Sequence, residues 1–168
     1  MKIRKLTLSD RKTFFELSDR VVKALEHRDW LIPMTEDEAD VTFAEGSDDV
    51  VLGGFVDGRL VATLGLFHDI RDYADYLPAE LQAMKGAEIG EAMVDPEMRR
   101  AGLMNELWQA LKETIKNRDL DFLLATAHPD NISNHLMQKD DFLLCKVFER
   151  RGYPRNMYFL TLTSTYNL

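Results

Sequence analysis

The stretch from Glu88 to Met104 constrains the chain more than any other. Its first half, up to Val94, has the apolar character of a strand, and Asp95-Pro96 marks a turn. Arg99, Arg100 and Gly102 then open a segment in which Leu103, Leu107, Ala110, Leu111 and Ile115 recur at helical spacing. A strand, a turn and a long amphipathic helix therefore follow one another within a few dozen residues. A helix start offers free backbone N–H groups and the positive end of a dipole. Two arginines add charge there, and a glycine lets a ligand come close to the backbone. The stretch is expected to hold a phosphate-bearing ligand. A solvated charge pair is the bland reading of Arg99 and Arg100, but helix starts ordinarily favour acids unless an anion binds.

The rest of the chain supplies a sheet and helices around this unit. Residues 2–8 alternate as a strand, and Ser9 is placed to cap the helix that carries Phe14, Leu17, Val21, Val22 and Leu25. Residues 28–34 form an apolar loop containing Trp30, whose expected role is packing. Thr35 and Glu38 make a capping box for a second, short helix. Val50–Val56 and Arg59–Phe67 read as strands joined by Asp57-Gly58, a strong hairpin signal. Residues 69–85 read as one or two short helices, either covering a pocket or closing a sheet edge. Ala87–Val94 is the central strand. Asp121–Ala127 is apolar throughout, as in a strand buried on both faces. A helix from Pro129-Asp130-Asn131 has Leu136 and Met137 inside, and Phe142–Phe148 and Met157–Leu162 are two last strands joined through 151–154. The fold class is α/β (α+β): one domain over 1–168 with a central mixed, mostly antiparallel sheet flanked by helices.

Composition narrows the function. At 168 residues the chain has the size of one domain. Its net charge of −8 argues against nucleic acid as a partner and leaves a cationic acceptor open. No apolar run reaches the ~20 residues that span a bilayer, so no membrane role is expected. The first residues lack the apolar core of a signal peptide. One cysteine excludes an internal disulfide, which suits a cytoplasmic protein. Cys145 lies in an apolar strand and is expected to be inert. The histidines at 27, 68, 128 and 135 form no His-Glu-x-x-His pattern, so no metal is expected. His68 and His128 follow strands and are candidates to line a cleft. No Lys-Ser/Thr follows the glycines at 53, 54 and 58, and no Gly-x-Gly-x-x-Gly occurs.

The segment Arg99-Arg100-Ala101-Gly102-Leu103-Met104 resembles the Arg/Gln-x-x-Gly-x-Gly/Ala motif of the GNAT superfamily of acyl-CoA N-acyltransferases, with Met104 in place of the last small residue. The order of elements matches over nearly the whole chain. His128 to Phe142 is similar to the family's strand-then-helix segment, with Asp141 where the family has glycine. The resemblance implies acetyl-CoA as co-substrate and an amine, on a small molecule or a protein, as acceptor. It implies that the backbones of Met93 and Val94 hold the pantetheine arm. Arg99, Arg100, Ala101, Gly102, Leu103 and Met104 would hold the pyrophosphate, and Asn131 would lie near CoA. Glu88, six residues before Val94, takes the place of the family's catalytic glutamate, and Glu91 is the second candidate base. The two glutamates point to opposite faces of a regular strand, unless a bulge near Gly90 intervenes. Many members carry a tyrosine on the later helix that protonates the leaving thiolate. Here Met137 has that place, and Tyr153 or Tyr158 would have to fold back to supply it. The implied mechanism is direct transfer in a ternary complex. A non-catalytic CoA-binding or regulatory module is the alternative, and a chain that has lost CoA is a second. A homodimer is left open.

Overall fold

The computed structural model of the protein describes residues 1–162. It contains one seven-stranded sheet in the order β1-β2-β3-β4-β5-β7-β6, with β1 at Lys2–Lys5, β2 at Val50–Val56, β3 at Arg59–Phe67, β4 at Gly86–Val94, β5 at Phe122–Ala127, β6 at Leu143–Arg150 and β7 at Tyr153–Thr161. Only β4 and β5 run parallel; every other neighbouring pair is antiparallel. The helices are α1 at Arg11–Lys23, α2 at Glu36–Thr42, α3 at Ala79–Gln82, α4 at Leu103–Ile115 and α5 at Ser133–Lys139. The mixed, mostly antiparallel sheet flanked by helices is the expected architecture. No helix among the described residues is long and apolar enough to cross a membrane.

The two faces of the sheet are covered by different parts of the chain. On one face, α4 packs Leu103, Leu107, Trp108, Leu111 and Ile115 against Val61, Leu64, Ala87, Leu123 and Ala125. This is the apolar stripe read at helical spacing, and Leu107 and Leu111 are fully enclosed. On the other face there are two clusters. Phe14, Leu17 and Val21 of α1 and Ala39 of α2 cover Val51, Leu60 and Met93. Tyr73, Leu77 and Leu81, from the segment before β4, cover Phe122, Leu124, Phe148 and Met157. The 69–85 segment is thus a second helical layer over β5, β7 and β6. β4 runs along the seam between these two clusters.

Several boundaries differ from the sequence reading. β1 ends at Lys5, because Thr7 and Asp10 bond reciprocally and begin a helical turn there. Asp10, rather than Ser9, is the residue that precedes α1. The Thr35–Glu38 capping box and the Asp57-Gly58 turn form as expected, the latter with φ of 50° and 79°. The last two strands are longer than expected, and only Arg151-Gly152 separates them, both at positive φ. Asp141 adopts φ 63°, the left-handed conformation that a glycine takes without strain. The side chain of Leu136, expected inside α5, lies outside the described residues; Met137 packs against the α4 cluster.

Candidate active site

The parallel pairing of β4 and β5 runs from Gly86–Phe122 to Ile89–Ala125 and stops there. β4 continues to Val94, paired only with β3. The N–H of Asp95 donates to Val61 O on β3 at 2.7 Å. Alternation along the strand therefore turns the N–H and C=O of Val94 to the opposite edge, where β5 has left the ladder. Unpaired strand groups at this depth need a partner. The Met93 side chain is buried under α1, and by the same alternation its N–H and C=O turn toward Thr63 of β3, so Val94 is the residue whose backbone faces the opening.

Beyond Val94 the chain makes a helical turn at Pro96–Met98 and reaches the start of α4. Arg99, Arg100, Ala101 and Gly102 are exposed there. Arg100 and Gly102 have φ of 64° and 76°, a conformation costly for arginine. Gly102 precedes α4 with no side-chain cap, so the N–H groups of Leu103, Met104 and the next residue lack helical partners. A side chain built on Gly102 would meet nothing within 4 Å, so the space in front of the helix is open. The side chains of Leu103 and Met104 turn into the α4 cluster, and only their backbone is at the loop. These groups suit a pyrophosphate: backbone donors, a helix dipole and two exposed guanidiniums.

A bulge decides where the two glutamates point. Ala87, Ile89 and Val94 pack on the α4 side, yet Met93 packs on the α1 side. In a regular strand Met93 would share the face of Ala87 and Ile89. The register breaks opposite Thr63–Gly65, and Glu91 takes φ 48° there. The Thr63 hydroxyl donates to Glu91 O at 2.7 Å and fixes this extra residue. The bulge, one residue beyond Gly90, brings Glu91 round to the face of Glu88. Its electrostatic neighbours are Glu88 and Glu38 of α2. Of the two arrangements the sequence left open, opposite faces in a regular strand or a bulge near Gly90, the bulge is the one formed.

The two carboxylates have different surroundings. Glu88 Oε1 accepts from the Tyr73 hydroxyl at 2.5 Å and lies 3.5 Å from the Arg150 guanidinium, which also donates to the Tyr73 hydroxyl. Burial pushes the Glu88 carboxyl up, and Tyr73 and Arg150 work against that push. Glu91 lacks such side-chain partners: its Oε2 is shielded from solvent and makes no hydrogen bond among the described residues, and the backbone of Met34 is the group that works to lower its carboxyl. Burial first, then the charges of Glu88 and Glu38, push its carboxyl up to about 8. Sequence reasoning missed the Tyr73–Glu88–Arg150 group, since its members lie 15 and 62 residues from Glu88. Tyr73→Phe is expected to lower stability by about 1–3 kcal/mol, because the buried Glu88 loses a donor; the midpoint of urea unfolding measures it.

Tyr158 does fold back, but its hydroxyl donates to Asn134 Oδ1 at 2.8 Å and is committed to that bond. Asn131 stands at the start of α5, accepts from Ser133 N–H at 2.9 Å and reaches Trp30 O at 3.5 Å. Asn131, Asn134, Tyr158 and Trp30 line a cavity of about 540 Å³. Trp30 is half-buried, its ring 5.4 Å from that of His27 and 6.5 Å from that of His128. His128 Nδ1 accepts from Asp130 N–H at 3.2 Å, which leaves Nε2 to donate toward Asp29 Oδ2 at 3.3 Å. One ring nitrogen thus shapes the turn after β5, and the other reaches the loop before α2. His68 pairs with Asp49 at the far end of β3, away from the opening. Burial raises the Cys145 thiol, in keeping with an unreactive residue.

The model of the acetyltransferase (GNAT) family matches residues 13–142. Among solved structures, the fold is similar to that of a probable acetyltransferase from Staphylococcus epidermidis, with TM-score 0.73, 18% identity, and 96% of this chain and 99% of that one covered. It is similar to an N-acetyltransferase from Staphylococcus aureus, with TM-score 0.70, 19% identity, and 96% and 98% covered. A ribosomal-protein-alanine N-acetyltransferase from Brucella melitensis gives TM-score 0.69, 18% identity, and 96% and 100% covered. No curated protein matches the chain.

Proposed function

Because the chain belongs to the acetyltransferase (GNAT) family, we propose that it is an acyl-CoA-dependent N-acyltransferase that moves an acetyl group from acetyl-CoA to an acceptor amine. The observation that carries this reading is the continuity of two features. The unpaired edge of β4 at Val94 leads directly into the uncapped start of α4. One offers an amide donor and acceptor to an extended, amide-bearing arm, and the other offers donors to phosphates.

The chemistry requires a neutral amine. Its nitrogen forms a bond to the thioester carbonyl carbon, the carbon–sulfur bond breaks, and the amine proton must leave. Glu91 is the better placed carboxylate for that proton, since Glu88 already serves Tyr73 and Arg150. The sequence alone favoured Glu88. The Val94 N–H is the donor available to the thioester carbonyl oxygen as charge builds on it. α5 carries no tyrosine, so the leaving thiolate takes its proton from water or another group. The net charge of −8 and the Glu38, Glu88 and Glu91 carboxylates fit an acceptor that arrives as an ammonium ion.

A thermal shift with acetyl-CoA, followed by a panel of small amines and peptides, tests the reading. Ligand at about 100 times its Kd is expected to stabilise the protein by about 2.7 kcal/mol, and thioester consumption is expected with at least one amine. Binding without turnover would point to a non-catalytic module. No shift at millimolar acetyl-CoA would remove the acyltransferase reading.

A further inference from the structure

Asp95 lies between the last strand residue, Val94, and the turn that leads to Arg99–Gly102. Its side chain has 0% exposure. One carboxylate oxygen accepts from Arg20 Nε of α1 at 2.8 Å and from the Arg59 guanidinium at the start of β3 at 2.7 Å. The other accepts from Glu97 N–H at 3.1 Å. Its backbone N–H bonds to Val61 O, and its C=O accepts from Met98 N–H at 2.8 Å. Arg20 also donates to Leu60 O at 3.2 Å, and Arg59 to Glu97 Oε2 at 3.2 Å. Burial alone would raise the Asp95 carboxyl, but the Glu97 N–H and the two guanidiniums together hold it below the usual carboxylate range.

The loop needs such an anchor. Arg100 is held at φ 64°, and a non-glycine residue keeps that conformation only when its surroundings impose it. Asp95 is the one residue of the loop whose side chain is tied to both α1 and β3 among the described residues. We propose that Asp95 is a positioning residue: through Arg20 and Arg59 it fixes the loop that presents the α4 N–H groups to the phosphates of the acyl donor. The inference rests on the acyl-CoA reading above. Misplacing donors by a fraction of an ångström weakens phosphate binding while leaving contacts to the pantetheine arm in place.

The test compares acetyl-CoA with S-acetylpantetheine, which lacks the pyrophosphate. Dissociation constants are measured by calorimetry for the first and by ligand-observed NMR for the second, using wild type and Asp95→Asn. Asparagine keeps an oxygen for Glu97 N–H but removes the charge. The expected result is a loss of about tenfold for acetyl-CoA, with the pantetheine thioester unchanged. Arg59→Gln, at a half-exposed position, is the second variant should Asp95→Asn not fold; a smaller loss with the same selectivity is expected. Equal losses for both ligands, or none for either, would overturn the inference. If wild type binds neither ligand, the acyl-CoA reading falls and the inference with it.

Discussion

Glu91→Gln is expected to reduce kcat/KM for amine acetylation by about 10²–10³-fold, within the range a positioned general base supplies. Glutamine has nearly the volume of glutamate and keeps the packing, but it cannot take a proton. The wild-type carboxyl is raised to about 8 by burial and by Glu88 and Glu38. Only the ionised form is a base. Below that value the rate is therefore expected to rise about tenfold per pH unit, and above it to level off. In Glu91→Gln this inflection disappears. An acceptor amine with a pKa near that of lysine, about 10.4, keeps its own titration outside the window. Glu88→Gln gives the contrast: its amide oxygen can still accept from Tyr73, but the charge that faces Arg150 is lost, so the change acts first on stability. Retention of wild-type kcat/KM within threefold by Glu91→Gln, with an unchanged pH profile, would move the base elsewhere.

The uneven legibility of the site in the sequence has a physical cause. The α4 start could be read because its parts are contiguous: a strand, a turn, two arginines, a glycine and a periodic helix within 88–115. Local propensity and local function agree there, and the same holds for the Asp57-Gly58 hairpin and the Thr35–Glu38 cap. The bulge at Glu91 was not legible in the same way. Glutamate has no preference for φ 48°, and the extra residue is held by a hydroxyl 28 positions away, on Thr63. The same distance hid the partners that set their chemistry. Tyr73 and Arg150 meet Glu88 only after two antiparallel strands and a helical segment have packed, and Arg20 meets Asp95 across 75 residues. Asp141 shows the converse: a residue of the wrong type sits at a glycine-like φ, because the end of α5 demands that turn.

Those long-range contacts also explain how two kinds of site share one strand. β4 presents unpaired backbone on its edge and carboxylates on its face, and the bulge lies where the ladder with β5 has just ended. In the proposed reading, a reacting centre there takes its hydrogen bond from Val94 N–H and gives its proton to Glu91. Water is kept from the Glu91 Oε2, and the backbone of Met34, whose side chain is buried before α2, bonds to the Glu91 carboxyl. In the proposed reading the loop at Arg99–Gly102 takes the phosphates and Glu91 the proton, so binding and turnover are expected to separate by mutation.

Gly102→Glu should show that separation, with acetyl-CoA affinity lowered by about 100-fold or more. Two effects add. Any non-glycine residue at φ 76° costs about 1–2 kcal/mol of backbone strain. A carboxylate at the start of α4 also competes with phosphate for the same N–H groups and repels it, and it meets no protein atom that would turn it aside. Gly102→Ala isolates the first effect: stability falls by the strain alone, and affinity falls only modestly, since a methyl group there meets open space. Calorimetric titration with acetyl-CoA, beside thermal unfolding of both variants, measures the two quantities independently. A glutamate variant that is folded and binds acetyl-CoA as tightly as the alanine variant would mean that the phosphates lie elsewhere, and that the two arginines beside Gly102 are no more than a solvated pair.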